Sequence, residues 1–249
     1  PPRSTLSSSS AASDVYKRQS QNNPKLAKGD KLNTEYMSTV MHLHPSSTKI
    51  CPYQDIAKCK EACLNTAGRG GIFKKGETTN VIQNARQYRT DLFLEAPELF
   101  MKTLHTELQA FINKAEKKGK TPCIRLNGTS DIQWEYIEYK GKNVFDTFPD
   151  VQFYDYTKIP TRKIEGIKNY HLTWSYSEAN DKYAKWFDKI NYNIAVVFNG
   201  AMPLWFKGRQ VINGDAYDMR FLDEPNRVVG LTAKGKAKKD TSGFVIAVN

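Results

Sequence analysis

Hydrophobic and polar positions follow two different rhythms along this chain. Between about residue 78 and Lys120 they recur at helical spacing; after it they fall in short apolar blocks. Phe100, Leu104, Leu108 and then Phe111 or Ile112 return every three or four positions, which is the period of one helix face. Pro97 stands where a first helical residue belongs and Gly119 where the helix ends, so a long amphipathic helix is expected between them. Residues 78–93 predict a second helix, with Val81, Ile82, Ala85 and Tyr88 near one face. Upstream, residues 31–44 (KLNTEYMSTVMHLH) are rich in β-branched and aromatic side chains and predict a strand that Pro45 closes.

Beyond Lys120 the blocks CIRLN (123–127), VQFYDY (151–156), YHLTWS (170–175), IAVVF (194–198) and VVGLTA (228–233) each predict a strand. The intervals are long enough for crossovers, and residues 134–148 and 177–189 read as helical. Repeated strand–helix units imply an α/β fold with a mostly parallel sheet. Six strands fall short of the eight of a full barrel.

The stretch 42–71 interrupts this pattern. It holds Cys51, Cys59 and Cys63, three of the four cysteines, spaced C-x7-C-x3-C between a strand and the glycines 68, 70 and 71. Residues 56–64 predict a short helix carrying Cys59 and Cys63 on one face, where a bond between the two is geometrically difficult. Thiols gathered this closely suit a soft metal ion or an iron–sulfur cluster, and the sequence leaves that choice open. His42 and His44 face one side of the preceding strand and would complete a Cys3His zinc site. Cys123, after Pro122 at the head of its strand, reads as a small core residue.

Composition narrows the partners. The formal net charge is +11 over 249 residues, a balance that favours nucleic acid or another polyanion. The basic residues are dispersed except at 114–120 and 234–239, which read as a solvated helix end and a solvated turn. Residues 9–19 (SSAASDVYKRQ) read as translated sequencing adaptor, so 1–19 are set aside as a disordered artefact of a metagenomic fragment lacking its true start. Removing them leaves +9, since Arg3, Lys17 and Arg18 stand against Asp14. Residues 20–249 are expected to form one α/β domain. No apolar run approaches the roughly 20 residues of a membrane span, and the few cysteines suit a reducing compartment, the cytoplasm of a host cell. Phosphate loops, dinucleotide fingerprints, nucleophile elbows and HExxH motifs are missing from the sequence.

In parallel α/β sheets, function gathers beyond the carboxyl ends of the strands. Here those ends carry Asn127, Gly128, Ser130 and Asp131, then Tyr156 and Lys158, then Ser175 and Glu178. Together they are expected to form a cofactor-binding rim with the cysteine loop. Gly128 would let backbone approach a ligand, Asp131 would accept a ligand hydroxyl or ammonium, and Lys158 would hold a carboxylate. Taken singly, each of these residue types also serves as a cap or turn residue. Arg125, inside an apolar strand, needs a carboxylate or bound anion, and Asp131 is a partner within reach. Asp215, Asp218 and Asp223 suggest a cation or a guanidinium partner such as Arg220; the calcium-loop pattern does not fit, and a structured acidic turn is expected.

Two resemblances follow. Cys51-Pro52, Cys59 and Cys63, residues 125–132 (RLNGTSDI), 153–158 (FYDYTK), 211–220 and 234–236 are similar to bacteriophage proteins of the gene-product-eighty-eight type, a family that implies no activity. More distantly, the cysteine loop after a first strand resembles that of radical S-adenosylmethionine (SAM) enzymes, whose usual spacing is C-x3-C-x2-C. That resemblance implies a partial (β/α)6 TIM-like barrel. It also implies a [4Fe–4S] cluster on Cys51, Cys59 and Cys63, SAM at the strand ends and a small-molecule or nucleotide-like substrate. The alternative expectation is a zinc-stabilised phage protein that binds nucleic acid or a host protein without catalysis.

Overall fold

The computed structural model describes residues 24–183 and 192–248. The expected adaptor segment and the last part of the helix expected at 177–189 lie outside the described residues. Helix α1 (Pro24–Leu32) leads into strand β1 (Tyr36–Val40), shorter than the strand expected at 31–44. Helices α2 (Val81–Glu95) and α3 (Pro97–Glu116) form the crossover to β2 (Thr121–Arg125). Asn80 caps α2 by accepting the Gln83 amide at 2.9 Å, and Gly119 leaves α3 at a φ of +61°, a conformation that suits glycine.

A ribbon of β3 (Glu138–Tyr139) and β4 (Lys142–Asn143) and a one-turn helix α4 (Val144–Thr147) occupy the stretch that reads as helical in sequence. Lys140 and Gly141 both adopt positive φ at the ribbon's tip, the hairpin chemistry that diverts this segment from a helix. Strands β5 (Gln152–Thr157), β6 (Tyr170–Ser175) and β7 (Ile194–Asn199) follow. After them come the hairpin β8 (Trp205–Phe206) and β9 (Arg209–Asn213), then β10 (Val228–Thr232) and β11 (Ile246–Ala247).

The sheet runs β1-β2-β5-β6-β7-β10-β9-β8, and every pairing except that of β8 with β9 is parallel. The six strands expected from sequence therefore lie side by side in chain order. Strand β6 pairs with β7 only at Ile194 and Ala195, and β11 takes the same edge higher up at Phe198 and Asn199. This wedge brings the C-terminal segment to the carboxyl rim. One face carries Ile124, Phe153 and Leu172 beneath Phe100, Leu104, Leu108 and Ile112 of α3. On the other, Cys123 and Tyr154 pack against Met219, and Asp30 of α1 accepts the Ser38 hydroxyl at 2.5 Å.

Under the rim lies a buried polar network. Arg162, 1% exposed, donates to both Glu135 oxygens at 2.5 and 2.6 Å and to the Tyr170 hydroxyl at 2.9 Å. Tyr170 donates in turn to Asp155 at 3.1 Å. Breaking a buried pair strands a charge. Glu135→Gln is therefore expected to cost about 3 kcal/mol, measured by urea unfolding, because the buried Arg162 loses its two-point charge partner and keeps only Asp131 at 3.6 Å; a loss no larger than that of an exposed substitution would contradict this assignment.

Candidate functional site

The cysteine loop is pinned across the carboxyl ends of four strands. After β1, the Met41 carbonyl accepts the Gly128 amide at 2.9 Å and the Leu43 carbonyl accepts the Thr129 hydroxyl at 2.6 Å. A Cβ on Gly128 would stand 2.4 Å from His42 Nδ1 and 2.5 Å from the Met41 oxygen. The backbone that Gly128 admits is thus the chain's own. Further along, the Asp131 amide donates to Ile50 O at 2.9 Å, the Ser177 hydroxyl to Ala57 O at 3.1 Å and the Ser242 hydroxyl to Lys58 O at 3.1 Å. Ala62 and Cys59 pack with Ala233, Ala237, Phe244 and Val245.

Residues 52–58 form successive turns, and the helix expected at 56–64 does not form. Lys58 takes a φ of +56°, which a helix does not allow. The thiols accordingly point to local partners: Cys51 to Thr129 O at 3.8 Å, Cys59 to Gln54 O at 3.7 Å, while Cys63 accepts the Asn65 amide at 3.4 Å and caps a short 3-10 turn (Leu64–Thr66). All four cysteines are free. Among the described residues, no group of three or more His, Cys, Asp or Glu side chains is close enough to hold a metal ion in this arrangement.

Lys158 joins the three thiols electrostatically. Burial works against its charge, yet Cys59, Asp131, Cys51 and Cys63 together hold its ammonium above the usual lysine range. For Cys51, burial, Asp131 and the other two thiols push the thiol far up against the opposing pull of Lys158. Burial likewise raises Cys59. The donor set is chemically that of a three-thiolate ligand, but the sulfur atoms are turned to separate partners. Metal binding here would displace protons and draw each side chain away from its local contact.

Asp131 and Asn127 prove to be organising residues of the rim. Asp131 accepts the Thr157 hydroxyl at 2.8 Å and the Lys158 amide at 2.7 Å, and Arg162 stands 3.6 Å away. The Asn127 side chain donates to Ile132 O at 2.9 Å and to Asp155 at 3.2 Å; its oxygen accepts from Ser130, the Ile132 amide and Trp134. Ser130 is thereby tied to Asn127. The partner of Arg125 is Asp218 at 3.1 Å, with Asp155 at 4.0 Å, and not Asp131. Lys25 shares Asp218 at 3.1 Å.

The remaining rim residues are placed less centrally. The Tyr156 ring lies under the Arg125 guanidinium at 4.6 Å. Ser175 ends β6, its carbonyl accepting from Asn180 at 3.1 Å, and Glu178 is exposed beside Gly243. Burial and then Arg86 lower His44, against Asp91, and burial with Arg86, Arg125 and Arg89 lowers His42 further. Cys123 is buried on the opposite sheet face from α3, between Tyr154 and Met219. In the acidic turn, Asp223 meets Arg220 at 3.2 Å and Asp215 meets Lys234 at 2.6 Å. Arg162 and Glu135 carried no sequence signal, because nothing in residues 159–164 marks a buried guanidinium.

Burial, opposed by Arg125 and the Asn127 amide, raises Asp155 to about 7. The folded state therefore holds a proton that the unfolded chain releases near its ordinary value of 3.8. This contribution is complete below that value and is lost as pH rises through about 7. Urea midpoints are expected to fall between about pH 5 and about pH 8, and Asp155→Asn to remove most of that slope. An unchanged slope in the variant would assign the titration elsewhere.

A family model described as Gene product 88 matches residues 16–248, which takes in the cysteine loop, the 125–132 stretch and the C-terminal wedge. No curated protein matches the chain, and neither does any solved structure. The match supports the first of the two resemblances and is silent on radical SAM enzymes. By its extent, the chain belongs to the bacteriophage Gene product 88 family.

Proposed function

We propose that this chain is an iron–sulfur enzyme of radical SAM type, built on a partial (β/α)6 barrel and acting on a small-molecule or nucleotide-like substrate. The observation that carries the reading is that one loop after the first strand holds three free thiols, whose field, with that of Asp131, favours the charged form of the half-buried Lys158. The chain-order parallel strands agree with it, since that is the strand order of a partial barrel.

The number of donors favours a cluster over closed zinc ligation. A structural zinc site takes four ligands. Here Cys123 lies under Met219 on another part of the sheet, and burial and nearby arginine charge disfavour a cation at His42, so the loop itself offers three thiols. Cys51, Cys59 and Cys63 would hold the cluster, which when bound supplies the electron for SAM cleavage. Lys158 offsets the negative charge of the thiolates, and Asp131 fixes its backbone. Of the residues expected to bind the cofactor, Glu178 is exposed and Tyr156, Lys158 and Ser175 are half-buried, and these four would contact SAM.

Anaerobically purified protein is expected to contain iron and acid-labile sulfide. Cys51→Ala, Cys59→Ala or Cys63→Ala should each lose most of the metal, and Cys123→Ala should keep it. Colourless protein with one zinc, or equal metal loss in the Cys123 variant, would overturn the cluster assignment.

A further inference from the structure

The cysteine loop carries cations that nothing in the rim chemistry uses. Lys58 and Lys60 flank Cys59, and Arg69 follows; all three are exposed. The fold places a second basic segment against them, the 3-10 helix Gly235–Lys239 with Lys236, Lys238 and Lys239 exposed. These stretches are far apart in sequence but in contact in space. Ala237 packs in one apolar cluster with Cys59 and Ala62, and a Cβ on Gly235 would stand 3.5 Å from Ala67.

The nearby carboxylates do not neutralise this surface. Asp240 accepts from the Ser242 hydroxyl at 2.7 Å and the Val245 amide at 3.0 Å, and Asp215 pairs with Lys234. Against the six cations the loop itself sets Asp55 and Glu61. Like charges held together by apolar packing repel one another, and a polyanion relieves the repulsion.

The chain that runs on from the loop exposes apolar side chains. Leu64 is 53%, Ile72 68% and Phe73 41% exposed, and Lys74, 4.0 Å from Glu77, and Lys75 follow directly. An exposed ring among cations matches bases that are free to stack, which single strands offer and duplexes do not. The surface is made of turns and 3-10 helix, without a long helix or ribbon to enter a major groove.

We infer that the basic surface formed by the cysteine loop and the Gly235–Lys239 helix binds single-stranded nucleic acid, its phosphates on the lysines and a base on Phe73. Binding of this kind does not require a metal at the thiols, so it stands or falls separately from the cluster reading.

The test is fluorescence anisotropy of chelator-treated protein with a labelled mixed-sequence DNA oligonucleotide, single-stranded or annealed, with heparin as a base-free polyanion. Single strands are expected to bind tightest, with a log–log salt slope of about −3 to −4, as about five neutralised phosphates require. Lys236→Glu/Lys238→Glu/Lys239→Glu should weaken binding about tenfold or more and flatten the slope by about 2. The charge-matched control Lys114→Glu/Lys117→Glu/Lys118→Glu, at the exposed end of α3, should change far less. Phe73→Ala should weaken single-strand binding and leave the slope unchanged. Equal loss in the control, preference for duplex or heparin, or full affinity in Phe73→Ala would each overturn the proposal. If the glutamate variant fails to unfold cooperatively, the glutamine variant at the same three positions gives the reading.

Discussion

The Asp131 carboxylate accepts the Thr157 hydroxyl and the Lys158 amide, while its own amide reaches the Ile50 carbonyl beside Cys51. Three segments that meet only in the folded state are joined at this one residue: the loop after β2, the end of β5 and the start of the cysteine loop. A hydrogen bond of this kind adds only about 0.5–1.5 kcal/mol net, but leaving its buried partner unsatisfied costs more. The constraint is thus chiefly geometric. It sets where Lys158 stands, and through Lys158 the electrostatic surroundings of the thiols.

Around Asp131 the polar groups are arranged in two shells. Asn127 uses both ends of its amide to shape the 127–134 loop, and the Arg162–Glu135 pair braces that loop against β6 through Tyr170. Burying so many charged and polar groups is costly unless each finds a partner. The density of the network therefore marks the rim as the place where the fold gives up apolar packing. On the opposite sheet face, Arg125, Lys25 and Asp218 form a separate network with Tyr156 and Arg220. The two are linked through Asp155, which lies 4.0 Å from Arg125.

The residues that read in sequence as ligand-binding divide by this criterion. Asn127, Gly128, Ser130 and Asp131 meet other parts of the chain, whereas the Lys158 ammonium lies over the Phe244 ring and Glu178 stays exposed. Strand-end position alone does not separate the two groups. Polar residues at a parallel rim must both hold the loops in place and meet a ligand, and the same residue types serve both purposes.

The strand–helix rhythm was legible because each buried strand needs its own apolar block and α3 needs its stripe; these are local requirements that a linear pattern records. Hence the six principal strands, the two long helices and the location of the cysteine loop at the carboxyl rim follow from sequence. The segments 56–64 and 134–148 were not legible, because left-handed backbone at Lys58 and at Lys140–Gly141 redirects them. Nor was the insertion of β11 beside β7, which depends on β6 diverging higher up. Charge partners were decided last of all. Arg125 pairs with Asp218, 93 positions away, instead of Asp131 six positions on, because in a parallel sheet the nearest carboxylate in space comes from another layer and not from the next turn of the chain.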